Sequence, residues 1–182
     1  HIRGNGDAAW SEVLINPDQR FNDGAIDSVG RLVIGTMSLQ GEENSYNNAL
    51  FLLEGDGSLV AIREEIGLSN GIAVDPESGD LFHVDTLASN ISRIPFVAAT
   101  ESYGEPELFH QFSADAAPDG VLLLESGLLI VALWGLGALA LIDPFGEEIE
   151  RVDLPCQYPT SLCVTNSDGH LWFGHASQPR GT

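Results

Sequence analysis

The 182-residue chain is 43% hydrophobic, which is enough apolar content for a folded core and argues against disorder. Its 27 acidic residues outnumber the 7 Lys and Arg residues, and the formal net charge of −20 disfavours binding to nucleic acid or to an anionic membrane. An acidic surface suits either plain solvation or cation binding, so the charge alone names no function.

Short apolar runs between turn residues follow one another along the chain and predict an all-β fold without long helices. In chain order, the predicted strands cover residues 32–35, 50–53, 59–62, 81–84, 128–133, 139–142 and 171–173. Turns of the Asp-Gly kind, such as Gly55-Asp56-Gly57, favour tight hairpins between such strands.

The longest apolar segment, residues 127–142, could be read as a membrane helix because it contains only small or apolar residues. It is shorter than the roughly 20 residues that a membrane-spanning helix needs. It also contains Gly127, Gly135 and Gly137, which are typical of turns. We therefore predict two strands joined at residues 134–137, and no contact with a membrane.

A repeated unit recurs along the chain, in which a polar residue is followed by a short strand, a glycine turn and a second strand. The polar markers are Asn22, Asn70, Asp119 and Ser161, spaced by 48, 49 and 42 residues. This spacing is close to the period of about 40–50 residues that four-stranded propeller blades show. We predict about four blades of a single, incomplete β-propeller domain over residues 1–182. A β-sandwich would explain the turns but not the self-similarity.

Rotation about a propeller axis relates equivalent positions of successive blades, so the four markers are expected to converge on the central channel. Two amides, a carboxylate and a hydroxyl form an oxygen-only set, which suits a hard cation such as Ca²⁺ or Mg²⁺. The alternative is that Asn and Asp before Gly are ordinary turn residues.

Several motifs, in this order and spacing, closely resemble the regucalcin and gluconolactonase family. They are Arg20-Phe21-Asn22-Asp23-Gly24, Gly35-Thr36-Met37, Ser69-Asn70-Gly71, Asp85-Thr86, Pro118-Asp119-Gly120 and Ala132-Leu133-Trp134-Gly135. The resemblance runs from about residue 18 to 175 and implies a six-bladed propeller with one divalent cation at the top of its channel. Ca²⁺ is the expected ion, with Zn²⁺, Mg²⁺ and Mn²⁺ as alternatives.

The resemblance also implies roles for individual residues. Asn70 and Asp119 correspond to metal ligands, and Arg20 and Asn22 correspond to residues that contact the substrate. Asp119 further corresponds to the general base. A further Glu ligand of the family would precede His1, so the chain is expected to be truncated at both ends. A substrate-contacting Glu of the family falls near Gln40, with Glu42 and Glu43 only loosely placed.

The expected activity is hydrolysis of sugar lactones, in which the cation polarises the carbonyl and Asp119 takes a proton from water. The alternatives are a hydrolase of other esters or phosphotriesters, a calcium-binding protein without turnover, and a propeller that binds a ligand or protein without catalysis. The expected partner is a small sugar lactone, with no nucleic acid and no membrane. The compartment is unknown, with the cytoplasm slightly favoured. The histidines at positions 83, 110, 170 and 175 lack a common metal-binding spacing, which favours packed or surface roles.

Overall fold

A computed structural model describes residues 16–39, 46–165 and 169–177, and within these ranges the chain forms strands and no helix. The all-β prediction is therefore confirmed. The strands are β1 (Gln19–Ile26), β2 (Leu32–Ser38), β3 (Asn48–Leu53), β4 (Leu59–Ile66), β5 (Ser69–Val74), β6 (Leu81–Asp85), β7 (Asn90–Ile94), β8 (Phe96–Val97), β9 (Ser102–Tyr103), β10 (Glu107–Gln111), β11 (Ala117–Leu123), β12 (Leu129–Trp134), β13 (Ala138–Ile142), β14 (Glu148–Asp153), β15 (Pro159–Val164) and β16 (Leu171–His175).

The strands form successive antiparallel sheets, which are the blades of a β-propeller. The first blade has the order β1-β2-β3-β4, the second β5-β6-β7-β10 and the third β11-β12-β13-β14. The strands β15 and β16 pair as a two-stranded fourth sheet, and the short hairpin β8-β9 is inserted into the second blade. These sheets do not close into a ring, so the six-blade count stays a prediction.

Apolar side chains fill the space between neighbouring blades, and strand β12 shows how this works. Leu129, Val131 and Leu133 pack against the second blade, whereas Ile130 and Ala132 pack towards the fourth sheet. Because side chains alternate between the two faces of a strand, a strand covered on both faces reads as a continuous apolar run.

The apolar segment 127–142 thus forms two buried strands, β12 and β13, as predicted. In the part of the chain that the structure describes, no helix has the length and apolar character needed to cross a bilayer.

Candidate functional site

The innermost strand of each blade contains a β-bulge at the same place, which positions one polar side chain per blade. The pairs Phe21–Thr36, Ser69–Asp85, Pro118–Leu133 and Pro159–His175 are each followed directly by a shift in register. The first residue after each of these pairs is Asn22, Asn70, Asp119 or Thr160. A bulge leaves its extra residue without a cross-strand partner and re-aims its side chain.

The fourth marker is therefore Thr160, and the prediction that Ser161 joins the other three is wrong. Thr160 lines the cavity described below, whereas Ser161 is exposed and occupies the second position of its bulge. The sequence repeat was offset by one residue here, because no glycine follows to mark the bulge.

The second position of the bulge explains how closely the inner strands approach one another. A Cβ on Gly71 would lie 2.6 Å from the backbone oxygen of Asp119, and a Cβ on Gly120 would lie 2.4 Å from that of Thr160. Such distances exclude any larger residue without backbone movement. The glycines therefore let successive bulges touch, which brings the polar residues of neighbouring blades together.

A cavity of about 630 Å³ opens where these strand ends meet, and Arg20, Asn22, Asn70 and Asp119 all line it. The structure thus brings together the four residues that the sequence singled out, although their roles stay predictions. The cavity is lined in three levels that follow the strand register. Arg20, Leu68 and Ala117 lie before the bulges, the four bulge residues lie in the middle, and Met37, Thr86 and Trp134 end the second strands.

A chain of hydrogen bonds runs along one side of the cavity. The Arg20 Nη1 group donates to Asn22 Oδ1 at 3.0 Å, and Asn22 Nδ2 donates to Asn70 Oδ1 at 3.0 Å. Asn22 Nδ2 also donates to the backbone oxygen of Ser69 at 2.9 Å. These bonds fix the orientation of the Asn22 amide, whose oxygen faces the guanidinium.

Thr86 fixes the amide of Asn70 in turn. Its hydroxyl donates to the backbone oxygen of Pro118 at 2.6 Å, so its lone pairs accept from Asn70 Nδ2 at 2.9 Å. The amide nitrogen of Asn70 is thereby engaged by Thr86, and Oδ1, which accepts from Asn22 Nδ2, keeps a second lone pair as an acceptor. The motif Asp85-Thr86 contains this residue, but the sequence gave no indication of its role.

Asp119 and the exposed Asp115 line the cavity, and the carboxylate of Asp23 lies close enough to affect that of Asp119. Burial raises the pKa of Asp119 to about 7, and the negative charge of Asp23 contributes to the same shift. Burial also raises the pKa of Asp23, although the N–H group of Gly24, 2.7 Å away, partly opposes the change. Asp23 stands where the second and third blades have Gly71 and Gly120. A carboxylate at a position otherwise held by glycine was the sequence signal for it.

The donor set fits a hard cation. Asn70 Oδ1 and the carboxylates of Asp119 and Asp23 are oxygen donors, and a positive ion would offset the charge that these two carboxylates bury. Within the described ranges, no group of three or more His, Cys, Asp or Glu side chains is placed to hold a metal. Gln40, Glu42 and Glu43 lie outside the described residues.

None of the four histidines that the structure describes lines the cavity. His83 is fully buried, with Nε2 2.7 Å from Ser69 Oγ and Nδ1 3.0 Å from the guanidinium of Arg63, and its burial lowers its pKa to about 3. His110 Nδ1 donates to the backbone oxygen of Gly146 at 2.8 Å, and its ring packs against Phe112. These contacts agree with the packed roles that the sequence favoured.

Comparison with known proteins identifies the same family that the sequence motifs resemble. The model of the SMP-30/gluconolactonase/LRE-like region matches residues 7–177. A Bacillus subtilis (strain 168) protein, provisionally named a sugar lactone lactonase, is 36% identical over 151 residues, which are 82% of this chain and 51% of the relative. Regucalcin of Danio rerio is 31% identical over 162 residues, which are 88% of this chain and 55% of the relative.

A solved structure extends the similarity to three dimensions. The calcium-binding protein regucalcin from Agrobacterium tumefaciens aligns with a TM-score of 0.74 at 27% identity, over 84% of this chain and 52% of that one. The chain spans about half the length of the curated relatives it matches. On the match of the family model and of these relatives, the chain belongs to the SMP-30/gluconolactonase/LRE-like family.

Proposed function

We propose that this chain contributes the binding and catalytic residues of a divalent-cation-dependent sugar lactonase. The observation that carries the proposal is the Asp119 carboxylate, which lies in the cavity with a pKa raised to about 7 by burial and by Asp23. A strongly perturbed carboxyl group in a cleft is a common mark of a functional site. Relatives named regucalcin and sugar lactone lactonase support the choice of substrate and ion.

Asn70 and Asp119 are the proposed ligands of the cation. Thr86 holds the amide nitrogen of Asn70, so that the remaining lone pair of Oδ1 is the group that Asn70 offers to an ion. When bound, the cation would polarise the lactone carbonyl and stabilise the negative charge that develops on its oxygen. Its charge would also lower the pKa of Asp119 and favour the ionised carboxylate. Ca²⁺ is the first choice, with Zn²⁺, Mg²⁺ and Mn²⁺ as alternatives.

Asp119 is the proposed general base. Its carboxylate accepts a proton from the attacking water as the water oxygen bonds to the carbonyl carbon. It then passes this proton to the ring oxygen as the ring ester bond breaks, which leaves a hydroxy acid and restores the carboxylate. Among the described residues, no hydrogen bond is formed to this carboxylate, so its oxygens are available to water. Partial burial excludes competing solvent and raises the pKa, which opposes the lowering by the cation and keeps the carboxylate basic enough to accept a proton.

Arg20 and Asn22 are the proposed substrate-contacting residues. The Arg20 side chain is exposed at the cavity and has donors beyond the Nη1 group that binds Asn22 and the backbone oxygen of Phe21. A planar guanidinium suits the ring oxygen of the substrate or the carboxylate of the product. The Asn22 amide, held by Ser69 and Asn70, offers its remaining capacity to sugar hydroxyls.

The test is the calcium-dependent hydrolysis of glucono-δ-lactone by the protein at its natural length, measured above the spontaneous rate. We expect turnover that a chelator removes and that added Ca²⁺ restores. A parallel panel of aryl esters and a phosphotriester identifies a broader hydrolase if these are preferred. Calcium binding without turnover of any of these substrates would contradict the proposal.

A further inference from the structure

Trp134 is a large aromatic residue at the edge of the cavity for which the mechanism above has no use. It ends strand β12, pairs with Ala117, and lines the same cavity as Arg20 and Asp119. Although Trp134 is part of an otherwise buried strand, it remains 43% exposed. Its counterparts in the first and second blades are Met37 and Thr86, neither of which is aromatic.

The segment that carries Tyr158 holds the indole of Trp134 in place. Its ring packs against Tyr158, with 4.9 Å between the ring centroids and a tilt of 42°. The next residue, Gly135, donates its N–H to the backbone oxygen of Gln157 at 3.0 Å, which ties the turn after Trp134 to the segment that carries Tyr158. An aromatic side chain supported in this way presents a flat surface with little loss of entropy when a ligand binds.

The cavity offers a ligand two kinds of contact, polar and aromatic. Arg20, Asn22 and Asp119 offer charges and hydrogen bonds, whereas Trp134 offers an apolar face with negative electrostatic character. A sugar lactone has groups that match both kinds of contact. Its hydroxyls and carbonyl are polar, and its ring carries C–H groups whose weakly positive hydrogens suit the face of an aromatic ring.

We propose that Trp134 is a specificity-determining residue whose indole stacks on the C–H face of the lactone ring. This inference rests on the proposed function and adds a contact to it. The stacked ring would be held with its carbonyl towards Asp119 and its hydroxyls towards Arg20 and Asn22. The contact favours cyclic sugar substrates over short acyclic esters, which lack a ring face to cover the indole.

The kinetic test compares Trp134→Ala and Trp134→Phe with Trp172→Ala in the protein at its natural length. Trp172 is 61% exposed on β16 and does not line the cavity, so its variant controls for the loss of an exposed indole. For glucono-δ-lactone we expect Trp134→Ala to raise KM at least about tenfold with kcat changed less than about threefold, the size of a lost pocket contact. Trp134→Phe should stay within about threefold of the wild type, because the ring face is kept.

Binding provides a readout that does not depend on turnover. Titration with the stable product, D-gluconate, should change the tryptophan fluorescence of the wild type and of Trp172→Phe, and this change should be lost in Trp134→Phe. If the wild type shows no lactonase activity, the proposed function fails, yet this titration still decides the role of Trp134. An unchanged KM in Trp134→Ala, or a gluconate signal that survives in Trp134→Phe, would overturn the inference.

Discussion

Carboxylates are buried within the blades and half-buried at the cavity, and the two regions differ in the number of hydrogen bonds that these carboxylates accept. Within the blades, the carboxylate of Asp85 accepts the N–H groups of Gly67, Leu68 and Ala88 at 3.0–3.3 Å. In the cavity, the half-buried carboxylate of Asp119 has no such partner among the described residues, and the neighbouring Asp23, also half-buried, accepts only the N–H of the residue that follows it.

Two further blade carboxylates follow the same pattern as Asp85. Asp80 accepts from the guanidinium of Arg93 and from the N–H of Phe96, and Asp27 accepts from the side chain and the N–H of Arg31. Burying a charge without compensation is unfavourable, so a carboxylate that serves the fold is surrounded by donors. Asp119 lacks this compensation and Asp23 has a single donor, which is the basis for the part that we propose for them in binding and chemistry. Four predictions test this contrast.

The largest expected effect is on activity. Asp119→Asn keeps the size of the side chain and one coordinating oxygen, but it removes the charge and the proton acceptor. We expect calcium-dependent hydrolysis of glucono-δ-lactone to fall roughly a hundredfold or more, as the loss of a general base does. Thermal melting in chelator near neutral pH should show a fold at least as stable as that of the wild type, because no hydrogen-bond partner of the carboxylate is lost and a partly buried charge is removed.

The matched control is Asp56→Asn. Asp56 is an exposed turn carboxylate that accepts from the N–H and hydroxyl groups of Ser58, and Asn is an equally good turn residue. Its variant should keep full activity. Wild-type turnover in Asp119→Asn would place Asp119 with the structural carboxylates and leave the mechanism without a base.

The second prediction concerns stability. Asp85 is 1% exposed, and Asp85→Ala would leave three N–H groups in or near the core without their acceptor. Each such group costs about 1–3 kcal/mol, so we expect the free energy of unfolding to fall by about 3 kcal/mol in chemical denaturation. Asp56→Ala, whose N–H partner can turn to water, should lose much less. Equal losses in the two variants would remove the contrast between buried and exposed acceptors.

The third prediction tests how the fold orients the cavity. Thr86→Val keeps the shape of the side chain but removes the hydroxyl that accepts from Asn70 Nδ2. We expect the calcium affinity, measured by titration calorimetry, to fall about tenfold or more, the usual effect of losing a group that orients a metal ligand. Thr86→Ser should restore it.

Thr36→Val is the control for Thr86→Val. The Thr36 hydroxyl is also buried with two backbone contacts, both to Ala49, but Thr36 does not line the cavity. Its variant should lower the stability and leave the calcium affinity unchanged. If both valine variants bind calcium like the wild type, Thr86 serves the fold alone.

Strands that are covered on both faces were readily predicted from the sequence. The predicted runs 50–53, 81–84 and 139–142 all lie within observed strands, because each is buried between blades and reads as continuously apolar. Of the outer strands, β4 was found in part by the run 59–62, whereas β10 and β14 were missed. All six residues of β14, Glu148–Asp153, are exposed, so the strand carries no run of apolar residues that would reveal it.

The site residues also fall into those that the sequence revealed and those that it did not. Repeat spacing found Asn22, Asn70 and Asp119, because the glycine or Asp-Gly after each marks its bulge. The spacing placed the fourth position one residue too late, at Ser161 in place of Thr160. The role of Thr86 depends on a contact with Pro118, 32 residues away, and that of Asp23 on its closeness to Asp119. Neither relation leaves a local pattern in the sequence.

The last and smallest expected effect is on the pH dependence of stability without a cation. Asp119 has a pKa of about 7 in the folded chain, above its ordinary value, so between about pH 4 and pH 7 the folded state binds more protons than the unfolded state. The stability contribution of this group is therefore full at low pH and is lost as the pH rises towards 7. The slope is at most about 1.4 kcal/mol per pH unit, and solvent access to the cavity will reduce it.

His83 acts in the opposite direction over the same window. Its pKa is lowered to about 3 in the folded chain, so the unfolded state binds more protons below about pH 6.5 and stability falls as the pH falls.

The wild type alone cannot separate the two groups, but the difference in the free energy of unfolding between the wild type and Asp119→Asn can. In a chelator, this difference measured by chemical denaturation from pH 4.5 to 7.5 should decline as the pH rises. Saturating calcium should reverse the decline, because the ion binds the ionised carboxylate more tightly. A difference that stays flat both with chelator and with calcium would show that the Asp119 carboxylate is as well compensated as that of Asp85, and the contrast between the two regions would not hold.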